Sequence, residues 1–192
     1  LTALRGGVPH DKIVFHGNNK SDRELEFAVN NKIKVIVDND YDLERMISFS
    51  EVLNREIKIM IRLTPGIECH THEYIRTGSF DSKFGFGIEN LKNIFQEINK
   101  AKNVKLIGLH AHIGSQIFEL EPHRDLGEIL VNFAIDAQKY GHHIEELNVG
   151  GGLGIKYTNE DDPPSIEEWV KTISESVSIA CKKNNFQLPV LM

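Results

Sequence analysis

The sequence predicts an α/β chain in the form of an incomplete (β/α)8 TIM barrel. Three observations lead there. Short apolar runs alternate with longer amphipathic ones along the 192 residues, and such an order makes a parallel sheet wound by right-handed crossovers. No GxGxxG turn follows an early strand, as a dinucleotide-binding open sheet requires. The polar and glycine-rich turns instead follow several different strands, where a barrel gathers its C-terminal face. A closed barrel takes eight strands and about 250 residues. Six runs in this length are therefore expected to be about strands 3 to 8, within one partial barrel domain spanning 1–192.

The elements follow in order. Ala3-Leu4-Arg5-Gly6-Gly7 reads as a helix end, so the chain is expected to begin inside a helix. The strand-like runs are Ile13-Val14-Phe15, Val35-Ile36-Val37, Ile57 to Arg62, Val104 to Ile113, Leu147-Asn148-Val149 and Val190-Leu191. Between them, apolar residues recur at helical spacing. Leu91, Ile94, Phe95 and Ile98 form one stripe, Leu126, Ile129, Leu130, Phe133, Ala134 and Ala137 a second, and Ile166, Trp169, Val170, Ile173 and Val177 a third. Ser21-Asp22-Arg23-Glu24 and Ser165-Ile166-Glu167-Glu168 have the capping-box form that starts a helix. The longest irregular stretch is 66–87, a length that usually marks a functional loop. The last strand is expected to be the barrel's eighth, cut at Leu191-Met192.

Composition narrows the function. With 40% hydrophobic and 26% charged residues the chain is an ordinary globular one, and no run of about 18 apolar residues offers a membrane span. The first residues carry no signal-peptide pattern. Cys69 and Cys181 make neither a disulfide framework nor a CxxC site, and they fit a reducing cytoplasm. A net charge of −6 without a basic cluster argues against nucleic acid.

Three strand ends carry chemistry. In Gly108-Leu109-His110-Ala111-His112-Ile113-Gly114-Ser115-Gln116, alternation puts Gly108, His110 and His112 on one face and the apolar residues on the other. The apolar set faces the helices, so both imidazoles point inward, either as core histidines or as ligand-facing ones. Gly150-Gly151-Gly152-Leu153-Gly154 after a strand lets backbone N–H groups converge on an anion, although a merely flexible connection has the same composition. His16-Gly17-Asn18-Asn19-Lys20-Ser21 places donors before a helix cap, with Lys20 expected to face water rather than a ligand. Arg62, sharing a face with Lys58 and Met60, points into the barrel mouth, where it needs an anionic partner. Together these describe a site for a small phosphorylated ligand, in which an inward imidazole stacks on a ring or moves a proton. A metal reading competes through the pairs His70-Thr71-His72 and His110-Ala111-His112. No third carboxylate ligand stands at an obvious position and the glycine run is left unexplained, so no metal is expected.

These motifs, with Arg62-Leu63-Thr64-Pro65-Gly66, His70-Thr71-His72-Glu73-Tyr74-Ile75, Thr77-Gly78 and Ser82-Lys83-Phe84-Gly85, occur in one order. The chain resembles the barrel domain of the fold-type III, alanine racemase-like pyridoxal-phosphate (PLP) decarboxylases, most closely those acting on diaminopimelate. The resemblance implies that His112 stacks on the PLP ring, as both cofactor-binding and catalytic residue. It implies that Ser115 and the turn Gly150, Gly151 and Gly152 hold the phosphate, and that Arg62 lies close by. The segment 70–78 matches a loop near the entrance. The implied reaction removes a carboxylate from meso-2,6-diaminopimelate, giving L-lysine and CO2, in a cytoplasmic homodimer whose partner molecule is an amino-acid substrate.

Parts of the family pattern have no match here. The lysine that carries PLP, the Glu-Pro-Gly-Arg segment after the last strand and the C-terminal β domain are absent, so the chain alone is expected to be inactive. Alternatives within reach are a decarboxylase of ornithine, arginine or lysine, and a non-catalytic PLP-binding barrel.

Overall fold

Ser21 and Ser165 open helices as their spacing predicts. In the computed structural model, which describes residues 1–67 and 83–192, Glu24 N–H donates to Ser21 Oγ and Ser21 N–H to Glu24 Oε2. Ser165 and Glu168 make the same exchange. Each box satisfies donors that the first helical turn leaves without partners.

The elements run α1 (Thr2–Arg5), β1 (Val14–Phe15), α2 (Asp22–Asn30), β2 (Lys34–Val37), α3 (Asp40–Val52), β3 (Ile57–Thr64) and β4 (Phe86–Gly87), then α4 (Leu91–Lys100), β5 (Val104–Ala111), α5 (Glu121–Lys139), β6 (Glu146–Asn148), α6 (Ile166–Lys183) and β7 (Val190–Leu191). Every pairing is parallel, in the order β1-β2-β3-β5-β6-β7, with β4 on β3 off that path. Outward residues such as Val35, Ile59, Ile61 and Leu109 share one core with Leu25, Leu43, Phe95 and Leu130 of the helices.

The sheet curls about its other face. Lys34 on β2 donates to both carboxylate oxygens of Glu146 on β6, at 2.7 and 2.8 Å. Two strands lie between them, and at about 4.8 Å per strand a flat sheet would hold them roughly 14 Å apart. The bond therefore demands curvature, and the chain forms the incomplete (β/α) barrel expected from its pattern. Above this floor Ile36, Met60 and Ile107 make a small inner cluster with Val14. The strand ends above that tier are polar.

A bulge in β5 keeps that polar tier in phase. Ile59 pairs with Leu106 and Met60 with Gly108, leaving Ile107 as the extra residue. Gly108 is required beside it, because a Cβ there would lie 2.8 Å from the backbone carbonyl oxygen of Glu146 on β6.

Two features differ from the sequence reading. The stretch 66–87 ends in a short strand, β4, which pairs Leu63 with Phe86 and Thr64 with Gly87. In the third stripe, Ile173 and Val177 are buried, whereas Ile166 and Val170 are 74% and 50% exposed. All four lie on one helix face, but the core contacts of α6 come from Trp169 and from Ile173 onward. Among the described residues no helix is long and apolar enough to cross a membrane.

Candidate functional site

The C-terminal ends of four strands frame a cavity of about 400 Å³, lined by His16, Arg62, His110, His112, Asn148 and Gly150 above a floor of Val14 and Ile36. The alternation read from the sequence accounts for the pair on β5. Leu109, Ala111 and Ile113 enter the outer core, so His110 and His112 face inward.

The glycine turn after β6 folds directly onto His112. Gly150 adopts φ 70° and Gly152 φ 111°, a region that side chains avoid. Space is closed as well: a Cβ on Gly150 would lie 2.7 Å from Ala111 O and 2.9 Å from His112 Nδ1. Gly151 differs, with no atom within 4 Å of where its Cβ would sit. Its N–H donates to His112 Nδ1 at 3.3 Å, and Gly150 N–H donates to Asn148 Oδ1 at 2.9 Å.

A second loop is zipped to this turn. Ile117 N–H donates to Gly152 O and Gly154 N–H to Ile117 O, each at 2.9 Å. Gln116 and Ile155 exchange a further pair of bonds. Ser115 rides on that loop, exposed, and is not among the cavity-lining residues. The structure thus brings His112, Arg62 and Gly150 to one cavity, with Gly151 and Gly152 in the same turn and Ser115 on the adjoining loop.

Electrostatically the site combines one guanidinium with three neutral rings. Burial pushes the His110 imidazole down to about 3, with His16 and Arg62 adding to the shift. Burial and then Arg62 also lower His16 and His112. The hydrogen bonds set the tautomers. His110 Nδ1 faces two acceptors, Asn148 Oδ1 at 3.0 Å and Asn148 O at 3.1 Å, so it carries the proton and leaves Nε2 as a lone-pair acceptor. That Nε2 is buried and has no partner among the described residues. His16 Nδ1 accepts from Gly17 N–H at 2.8 Å, which puts its proton on Nε2. Its ring stands edge-on to His110, centroids 4.7 Å apart.

Behind the cavity lies a buried charge network. Arg62 donates to Asp38 Oδ1 at 2.8 Å. Lys20 is 3% exposed and donates to Asp42 Oδ2 and Gly17 O; the expectation that it faces water is therefore wrong. Its partner lies 22 positions along the chain, beyond any local spacing rule. Arg45 completes the network through Asp42 and Asp22, at 2.7 and 3.0 Å.

From the sequence, His16 and Asn148 stand only within longer motifs, without a role of their own, and Asp38 is not marked at all. The inward phase of each strand carries the signal: Asn148 stands two before Gly150, and Asp38 two after Ile36. His70 and His72, the alternative metal pair, lie outside the described residues. Among the described residues no three His, Cys, Asp or Glu side chains gather as metal ligands would.

Comparison with known proteins places this geometry in context. The model of the pyridoxal-dependent decarboxylase family, pyridoxal binding domain, matches residues 1–190. A diaminopimelate decarboxylase of Synechocystis is 52% identical over 95% of this chain and 39% of its own length. One from Bacillus subtilis is 36% identical over 98% of this chain and 44% of its own. The crystal structure of diaminopimelate decarboxylase from Helicobacter pylori complexed with L-lysine superposes with a TM-score of 0.87 at 27% identity, over 98% of this chain and 46% of that one. The chain spans less than half the length of these relatives.

Proposed function

We propose, from the premise that this chain belongs to the pyridoxal-binding domain family of the pyridoxal-dependent decarboxylases, that it forms the ring- and phosphate-binding part of an enzyme converting meso-2,6-diaminopimelate to L-lysine and CO2. The observation that supports this most directly is the closure of the glycine turn on His112, which sets backbone N–H groups beside one edge of a neutral imidazole.

The residues present fit PLP. Gly150 and Gly152 let the backbone turn tightly, while the open space at Gly151 leaves room for a phosphate against N–H groups. Ser115, on the loop zipped to that turn, adds a hydroxyl within the same region. His112, held by Gly151 N–H at Nδ1, offers a flat neutral face for an aromatic ring. Arg62 places a cation at the mouth. When bound, PLP supplies the electron sink that lets a carboxylate leave an amino acid as CO2.

The chain's own residues supply binding and orientation. The apolar floor of Val14, Ile36 and Met60 keeps water from below the reacting group, which strengthens charge interactions above it. Neutral His16 and His110 add donor and acceptor sites without adding charge. Within this reading, the partial barrel domain of 1–192 works as one part of a full-length homodimer.

The test uses the full-length parent protein. Visible absorbance of bound cofactor, with release of CO2 and lysine from meso-diaminopimelate, is the expected result. No cofactor absorbance would refute every PLP reading. Absorbance with turnover of ornithine, arginine or lysine instead would reassign the substrate.

A further inference from the structure

Arg62 is the one guanidinium lining the cavity among the described residues, and it is held from behind. Val37 pairs with Ile61 in the β2–β3 ladder, so Asp38 and Arg62 are the next inward step of two adjacent strands. Asp38 Oδ1 accepts from Arg62 at 2.8 Å, with the two side chains 1% and 8% exposed. The backbone that carries this carboxylate is tied on both sides. Asp38 N–H donates to Asp42 Oδ2 and its carbonyl accepts from Gly85 N–H, each at 3.1 Å. Asp42 is in turn gripped by Lys20 and Arg45. Phe84 packs beneath the guanidinium, 4.7 Å from ring centroid to Arg62 Cζ.

This anchorage uses one of the five N–H donors that a guanidinium carries. Among the described residues the other Arg62 donors have no hydrogen-bond partner. A buried cation whose counter-ion is fixed on one side, and whose remaining donors line a cavity, is built to take a second oxyanion.

We infer that Asp38 is a positioning residue, fixing Arg62 so that its remaining N–H groups receive an anionic oxygen of the bound ligand. The inference rests on the cofactor reading above. The chemistry it names is an oxyanion, supplied either by the PLP phosphate or by a substrate carboxylate.

The full-length parent protein carrying Asp38→Asn separates these sources. Affinity is measured for PLP and for pyridoxal, which lacks the phosphate, together with KM for meso-diaminopimelate. If the oxyanion is the phosphate, PLP affinity is expected to fall about tenfold while pyridoxal affinity holds; if it is a carboxylate, KM is expected to rise about tenfold while PLP affinity holds (tenfold being ~1.4 kcal/mol). Either loss is expected to vanish in an Arg62→Met background, since Asp38 acts through Arg62. A general loosening of the fold would shift PLP and pyridoxal together. Asp38→Glu keeps the charge and is expected to fold if Asp38→Asn does not, showing the same change at smaller size. Unchanged constants in a parent that binds PLP normally, or a loss that adds fully to that of Arg62→Met, would overturn the Asp38 assignment alone. A parent that binds no PLP would remove the functional reading and this inference together.

Discussion

Gly151 donates its backbone N–H to Nδ1 of His112 across 3.3 Å, tying the turn after β6 to the end of β5. One bond thus sets the ring's tautomer and the position of the open space at Gly151. Replacing His112 by Ala removes both the proposed stacking face and the turn's anchor. Stacking contributes about 0.5–1.5 kcal/mol, so PLP affinity of the full-length parent is expected to fall roughly two- to tenfold, and turnover with it. Equal affinities for parent and variant, measured by cofactor absorbance, would refute the stacking role.

The three glycines of the turn are not equivalent, and alanine scanning should show it. Gly150→Ala forces a methyl against Ala111 O and His112 Nδ1 at a φ of 70°. Such a left-handed position costs about 1–2 kcal/mol before any clash, so a lower unfolding midpoint is expected along with weaker PLP binding. Gly151→Ala meets nothing within 4 Å and should fold with unchanged stability, yet lose PLP affinity because its methyl occupies the ligand's space. Equal melting midpoints for the two variants would contradict the geometry.

Those glycines also show what the sequence could and could not say. Period-two alternation was enough to turn His110 and His112 inward and to place Arg62 at the mouth, because a side-chain phase is a local property. Which of Gly150, Gly151 and Gly152 is closed in by its surroundings is not local: it depends on Ala111 of β5 and Gly114 of the loop after it. The same limit hid Asp38 behind Arg62 and Asp42 beside Lys20, pairings made by strand register and helix docking. The two-residue strand β4 carries too few residues for any period. For α6 the pattern identified the face correctly, but the extent of its partners decides which part of that face is covered.

Lys20 supplies a contrast between buried and exposed ion pairs. Its ammonium lies between Asp42 and Gly17 O with almost no exposure. Lys20→Met leaves the Asp42 carboxylate with Arg45 as its remaining cation beside the Asp38 N–H and is expected to cost about 3 kcal/mol in chemical denaturation. Lys105→Met breaks a half-exposed pair with Glu56 and should cost no more than about 1 kcal/mol. A small loss at position 20 would mean that Arg45 compensates fully.

His123 makes the fold sensitive to acid. Its ring, 0% exposed, stands edge-on to Trp169 with centroids 5.5 Å apart, and among the described residues neither ring nitrogen has a partner. Burial, then His112, pushes it down to about 4, while an unfolded histidine titrates near 6.5. Below pH 6.5 the unfolded chain therefore holds a proton that the folded one refuses, and linkage makes stability fall as pH falls from about 6.5 towards 4. Each such group adds a slope of up to about 1.4 kcal/mol per pH unit in that window, and none above it. His123→Phe keeps the aromatic contact and removes two buried nitrogens without partners, so stability at pH 7.5 is expected to be unchanged or higher. Its midpoint should decline less steeply between pH 6 and 4, with His110 still contributing through its own depressed value of about 3. Parallel pH profiles for the parent and this variant would show that His123 stays neutral in the unfolded chain or finds a partner in the folded one.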